Sequence, residues 1–310
     1  MVLNSLRQIG ETRQFAVGWH RELGPPKIKE ITAIQPDIIV IEDVRLMDYA
    51  EILRAACPKA HMVIDFHNLD SALMREQNRA RLPKGLRFLA TFYYRERWRE
   101  AVAKDRHAMA FADAIWFCSG RDADLARALA DAPFKAHVVP NAAPEWCEAH
   151  TETSVKKTSG ALQILYLGHM GYGPNKNAVR LLVRRIFPAI RRRLRDAKLV
   201  VAGRRPNRRL TDFLKGREAV TLIPDPPEVA SLYAAADMVV LPLQEGGGSR
   251  IKVLEAMAVG CPVVATAKAV EGLDVVSGRN YLQAETARQF ADAVTELTQN
   301  NERREELIRA

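Results

Sequence analysis

LPLQEGGGSRIKVLEAMAVGCPVVAT, residues 241–266, joins two apolar runs through three consecutive glycines and a segment of helical periodicity. MVVLPL leads in as a buried strand, IKVLEAMAV follows as a helix, and PVVAT closes the unit as a second strand. Strand, loop, helix and strand in that order form one turn of a parallel α/β fold. Three glycines in a row cost backbone entropy, so the loop needs a compensating contact. They sit between the carboxyl end of a strand and a helix N-terminus. Unpaired N–H groups and the positive end of the helix dipole converge there, which makes an anion site. Gly246, Gly247 and Gly248 leave room for a ligand to touch the backbone, and Ser249 is placed as N-cap or as a hydroxyl donor to a phosphate. Arg250 and Lys252 set two positive charges in the first turn, against the dipole, and call for an anion beside them. Glu255, close behind Lys252, is placed to accept from ribose hydroxyls. Ile251, Leu254 and Met257–Ala258 are expected to face inward, with Gly260 at C′. The dinucleotide fingerprint fails because Ile251 stands at its third glycine, and the Walker pattern fails as well.

Outward from this unit, strand-like runs alternate with helical patterns along the chain. PDIIVIE, HMVIDF and AIWFC read as strands in the first half, and QILYLG, KLVVAG, MVVLP and PVVAT in the second. Val179, Leu182, Val183, Ile186, Ile190 and Leu194 recur at helical spacing, and Pro188 kinks or divides that helix. MAFADAIWFCS (109–119) and YAAADMVVLPL (233–243) share one grammar: a helix end, Ala-Asp, a buried strand and a small or turn residue. The echo predicts two similar halves. Polar, aperiodic sequence over 148–160 predicts a linker between domains at 1–147 and 161–310. The fold expected is α/β, two doubly wound Rossmann-like domains facing a cleft, where ligands of such sheets bind.

The chain's 310 residues, 48% hydrophobic and 27% charged, suit a soluble protein with two cores. No apolar run is long enough to span a bilayer, and the opening MVLNSLRQIG has no signal-peptide core. Cys57, Cys118, Cys147 and Cys261 lie far apart without metal spacing, as expected of buried thiols in a reducing cytoplasm. The net charge of +9 is concentrated: residues 184–209 hold eleven Lys and Arg against one Asp, +10, so the remainder sums to about −1. One basic block suggests a solvated helix face, peripheral contact with an anionic inner membrane surface, or a polyanionic partner. Nucleic acid is not expected, since Phe187 is the block's one aromatic residue. A second stretch, 85–107, mixes Phe88, Phe92, Tyr93 and Trp98 with Arg87, Arg95, Arg97, Arg99 and Lys104, which suits a long packed helix or interfacial docking.

GGGSRIKVLEAMAVGCPVVAT resembles the donor-site signature of retaining GT-B glycosyltransferases of family 4, the glycosyl transferases group 1 domain. ILYLGHMGYGPNKNAVRLLVRRIFPAIRRRLRDAKLVVAGRRP is similar to the opening strand, helix and strand of the same domain, and DFHN and HVVPNAAP resemble features of the first half. The branch it looks most like is the bacterial sugar transferases of exopolysaccharide clusters. The resemblance implies that Glu255 binds the nucleotide ribose, as the second Glu of the family's E-x7-E motif. It implies that amides at Gly248 and Ser249 hold the diphosphate, and that Gly168 and His169 line the donor site. His67 would face the transferred sugar, and Asn141 would be a hinge residue. The motif's first Glu would fall at Gly247, and the nearest acid is Glu245, two residues early. Where the family has Arg and Lys after its first donor-domain strand, this chain has His169 and Asn175. Arg250 and Lys252 are then the residues expected to meet the diphosphate.

The opening LNSLRQIGETRQFAVGW reads as the end of a first helix and a second strand, and the chain stops inside a helix, so the resemblance implies shortened termini. The implied function is metal-independent transfer, with retention, from a UDP- or GDP-sugar to a glycan or polyprenyl-linked acceptor, without a cofactor. The implied site is cytoplasmic, with the inner membrane face as a further expectation. Rival readings are a non-catalytic nucleotide-sugar binding protein descended from such an enzyme, a GT-B-fold epimerase, and a phosphorylase, for which no pyridoxal lysine stands out.

Overall fold

The computed structural model describes residues 25–74, 87–150, 160–247 and 250–310. The opening stretch read as helix and strand, and most of the linker, lie outside them. The described residues form two compact units, one holding the residues up to Pro140 together with Gly247, the other holding the rest from Asn141 onward.

In the first unit, helices α1 (Pro25–Ile34), α2 (Met47–Ala56), α3 (Arg87–Phe111) and α4 (Gly120–Leu129) accompany strands β1 (Ile38–Glu42), β2 (His61–Phe66), β3 (Ala114–Phe117) and β4 (Ala136–Val138). The four strands are parallel, in the order β1-β2-β3-β4. β2 and β3 are nearly all buried, as runs in a sheet covered on both faces must be. β4 was hidden in the sequence because it is a short edge strand, with His137 and Val138 exposed.

The second unit holds β5 (Gln163–Leu167), β6 (Lys198–Gly203), β7 (Val220–Pro224), β8 (Met238–Leu241), β9 (Val263–Ala265) and β10 (Leu282–Gln283). Its helices are α5 (Gly173–Leu181), α6 (Phe187–Arg191), α7 (Arg208–Leu214), α8 (Ala230–Ala235), α9 (Ile251–Ala258), α10 (Ala287–Gln299) and α11 (Asn301–Arg309). The sheet is parallel, in the order β10-β9-β8-β5-β6-β7. That is the doubly wound order, with its reversal between β5 and β8. β7 and β10 escaped the sequence reading for the reason β4 did: both lie at the sheet's edges and alternate with exposed residues.

Pro188 divides its helix as expected. A π-helical turn, Leu182–Ile186, separates α5 from α6, and Leu182, Val183, Ile186 and Ile190 remain buried through the break. The Ala-Asp echo also has a structural cause. Asp113 donates its N–H to Met62 O at 2.9 Å, and its Oδ2 accepts from Met62 N at 2.7 Å. Asp237 does the same to Gln163, at 2.9 and 2.7 Å. In each unit an Asp before a strand therefore clamps both backbone groups of one residue on the neighbouring strand.

Two expectations are corrected. Residues 141–147 pack with the second unit: Cys147 joins its core and Trp146 stacks on Tyr233 at 5.9 Å between ring centres. In α9 the buried residues are Val253 and Ala256, followed by Val259, whereas Ile251, Leu254, Met257 and Ala258 are only partly covered. The buried stripe lies about two residues from the expected one, because six of the eight residues of this helix are apolar and its periodicity is weakly marked. Gly260 follows the C-cap Val259 with φ +66°, at the C′ position expected.

Candidate functional site

The reversal of strand order places the carboxyl ends of β5 and β8 side by side, the position such sheets use for ligands, and the loops leaving them begin at Gly168 and Pro242. Gly168 donates its N–H to Ala202 O at 3.1 Å. Across from it, Gly203 has φ +153°, and a Cβ there would come within 1.7 Å of Gly168 O. Only glycine at 203 allows the β5 loop to lie so close to the end of β6.

Lys252 reaches into this corner from α9. Its ammonium donates to Asn175 Oδ1 at 2.8 Å and lies 5.3 Å from the centre of the Tyr166 ring. The buried Tyr166 hydroxyl donates to the same oxygen at 3.1 Å, and Asn175 Nδ2 donates to His169 O at 3.0 Å. A Cβ on Gly168 would stand 3.0 Å from the ammonium, so the glycine leaves that nitrogen its space. Burial, with the nearby Arg250 charge next in weight, lowers Lys252 to about 7. A cation so placed gains from an arriving anion. His169 is exposed, and its carbonyl, accepting from Asn175 and from Tyr172 N, holds the turn.

Arg250, the N-cap residue of α9, is buried and faces its own loop. Its Nη2 donates to Gly246 O at 2.9 Å and lies 3.7 Å from Glu271, which also pairs with Lys268. Gly246 has φ +102°, and a Cβ there would come within 3.1 Å of Pro174 and of the Tyr172 hydroxyl. Gly247 is half-buried, and Gly248 and Ser249 lie outside the described residues. Glu245 is buried too, with Oε1 accepting from Asn177 Nδ2 of α5 at 2.5 Å.

Glu255 is set by an aromatic pair. Tyr233 donates its hydroxyl to Glu255 Oε2 at 2.9 Å while Trp146 stacks on the Tyr233 ring. Burial raises the Glu255 carboxyl, opposed by the Tyr233 hydrogen bond and then by Lys252. The Tyr233 hydrogen bond thus fixes the direction of the carboxylate, one turn behind Lys252.

In the first unit, His67 follows β2 at its carboxyl end. Its side chain is 45% exposed and its Nδ1 lies 3.9 Å from Asp65 Oδ2. Burial, the largest influence, raises the Asp65 carboxyl.

The structure therefore brings Gly168, His169, Glu245, Gly246, Arg250, Lys252 and Glu255 to one end of one sheet. It adds Tyr166, Asn177, Tyr233 and Trp146, which sequence reasoning passed over, and Asn175, to which it gave no role. Tyr166 was hidden inside an apolar strand, and Trp146 lay in a stretch assigned to the other half. Asn175 left a usable signal, a neutral residue where the resemblance expects Lys. The cation comes from α9 instead.

Residues 161–300 match the family model of glycosyl transferases group 1. No curated protein sequence matches the chain. Among solved structures, TarM of S. aureus superimposes with TM-score 0.67 at 11% identity, over 91% of this chain and 52% of TarM. The sucrose-phosphate synthase of Thermosynechococcus elongatus gives 0.63 at 16% identity, over 92% of this chain and 71% of that one. Anabaena HepE in complex with UDP and glucose gives 0.62 at 13%, over 95% and 77%. The chain thus spans about half the length of TarM and larger shares of the other two. With two parallel sheets flanked by helices and these matches running through both, the chain has the GT-B fold, two Rossmann-like α/β domains.

Proposed function

We propose that the protein is a glycosyltransferase that moves a sugar from a UDP- or GDP-linked donor to a glycan or polyprenyl-linked acceptor, with retention and without a metal. The observation that carries the proposal is the Lys252 ammonium, held by Asn175 beside Gly168 at the switch point of the second sheet. It stands where the diphosphate of a nucleotide laid across the carboxyl ends of β5 and β8 would lie. Glu255 takes the ribose, and Arg250 shapes the loop through Gly246 O and adds its charge. The proposed setting is surface polysaccharide synthesis at the cytoplasmic face of a membrane, with the exposed arginines of 184–209 meeting anionic lipid.

In the transfer, the bond between the sugar's anomeric carbon and the β-phosphate oxygen breaks, and negative charge grows on the departing diphosphate. Lys252 and the N-terminal dipole of α9 are oriented before that charge appears, so they stabilise it with little reorganisation. The acceptor hydroxyl oxygen bonds to the anomeric carbon on the face the phosphate leaves, and its proton passes to the departing phosphate oxygen. His67 is assigned a hydrogen bond to a hydroxyl of the transferred sugar, positioning the anomeric carbon without acting as the base.

Calorimetric titration tests the site. Losing a charge-assisted contact costs about 1.5–3 kcal/mol, so Lys252→Ala should weaken UDP or GDP binding roughly ten- to a hundredfold. Unchanged affinity for whichever nucleotide binds the parent protein would remove Lys252 from the site. Neither nucleotide binding the parent would sink the reading itself.

A further inference from the structure

Outside the corner built around Lys252, the carboxyl edge of the first sheet gathers three metal-ligand chemistries. Asp65, His67 and Cys118 present a carboxylate oxygen, an imidazole nitrogen and a sulfur that all lie within 4.8 Å of one another. Strand register puts them there. β2 and β3 run parallel with Phe66 opposite Phe117, so the next residues, His67 and Cys118, emerge side by side. Asp65 precedes His67 by two residues and shares its face, since successive side chains of a strand alternate. Phe66 and Phe117, both fully buried, pack with tilted rings 5.3 Å apart between centres and hold the two strand ends in that register. Asp65 is opposite Glu42 in β1, and Asp43 donates its N–H to Asp65 O at 3.0 Å, so two further carboxylates flank the cluster.

We propose that Asp65, His67 and Cys118 form a binding site for a thiophilic divalent cation of the zinc class. Thiolate, imidazole and carboxylate together select zinc over magnesium or calcium, which prefer oxygen alone. Metal–ligand bonds of 2.0–2.3 Å separate tetrahedral ligands by about 3.4–3.6 Å, so the cluster closes by roughly 1 Å through rotation of side chains at a sheet end. Binding releases the thiol proton of Cys118 to solvent and leaves a fourth position for water. A metal here holds the His67 imidazole, so occupancy and a sugar contact by His67 exclude each other. The site itself does not depend on the glycosyltransferase reading, and its test uses no donor.

Cobalt(II) serves as the probe, added to the reduced full-length chain. A thiolate-to-cobalt charge-transfer absorption should appear, and zinc should displace it. Cys118→Ser should abolish the band, and Asp65→Asn should weaken cobalt binding at least tenfold. Alkylation of the native protein covers the case in which a variant misfolds. Cys57, Cys147 and Cys261 are buried, so native thiol modification reports on Cys118. Zinc should slow modification of Cys118 at least tenfold by peptide mass analysis. No thiolate band, a band that survives Cys118→Ser, or alkylation indifferent to zinc would each overturn the site.

Discussion

At the scale of single residues, the site rests on a lysine whose charge is poised by its surroundings. Lys252 is lowered to about 7, against about 10.4 for an exposed lysine. Between those values the unfolded chain binds a proton that the folded protein disfavours. The burden on stability is therefore full below pH 7 and relieved as pH rises toward 10. A diphosphate beside the ammonium favours its charged form, so nucleotide binding should take up protons from neutral pH upward, and affinity should fall as pH rises from 7 to 9. Calorimetry in buffers of different ionisation enthalpy measures this uptake, which Lys252→Met should remove; an equal uptake in that variant would assign it elsewhere. Glu255 supports a narrower expectation. Glu255→Gln preserves volume but weakens the acceptor, so it should reduce binding of a nucleoside diphosphate several-fold and spare inorganic diphosphate. Equal losses for both ligands would make Glu255 a support for Tyr233 and the loop, not a ribose contact.

At the scale of elements, the Ala-Asp echo shows how a local pattern becomes a sheet. Asp237 is buried, and its clamp on Gln163 joins β8 to β5 at the opposite end from the ligand loops. Asp237→Ala leaves the Gln163 N–H without its carboxylate partner, a cost of about 1–3 kcal/mol. Thermal melting should register a loss of roughly 2–4 °C per kcal/mol, with Asp237→Asn milder because it keeps an acceptor. An unshifted melting temperature in the Ala variant would show that the register is held by the apolar strand contacts alone. The same clamp at Asp113, where the Met62 N–H and then Arg54 hold the carboxyl below its ordinary range, accounts for the repeat seen in the sequence. Elements rich in one residue class were less legible. α9 is apolar almost throughout, so its buried face could not be phased. The edge strands β4, β7 and β10 carry too few buried residues to stand out from loop.

At the scale of the molecule, each unit has its own hydrophobic core, around Ile64 and Phe117 in the first and Leu165 and Val240 in the second. Nucleotide binding confined to the second unit should stabilise that unit by about 2.7 kcal/mol at a hundredfold excess over Kd. Scanning calorimetry should then show the upward shift in one of two transitions. A single transition moving as a whole would mean that the units unfold together. Charge is also uneven at this scale. In the basic block, Arg191 pairs with Glu218 and Arg193 with Asp292, while Arg184 lies over Phe213. Part of the +10 is thus met by the protein itself. Among the described residues no helix is long and apolar enough to cross a membrane.

Sequence by itself determined the alternation of strands and helices, the doubled α/β architecture, the division of the helix before Pro188 and the glycine loop leading into α9. These follow from periodicity, from glycine and proline chemistry and from a repeated Asp, all carried by neighbours along the chain. Tertiary structure decided what the side chains do. Whether Lys252 is a solvated cation or a lowered one depends on Asn175 and Tyr166, seventy and more residues away, and whether Glu245 is available depends on Asn177. Trp146 belongs to the second core because Tyr233 stacks on it, and Asp65, His67 and Cys118 meet because β2 and β3 lie in register. Spacing along a chain reports local geometry, whereas desolvation and pairing are set by whatever the fold brings within a few ångströms.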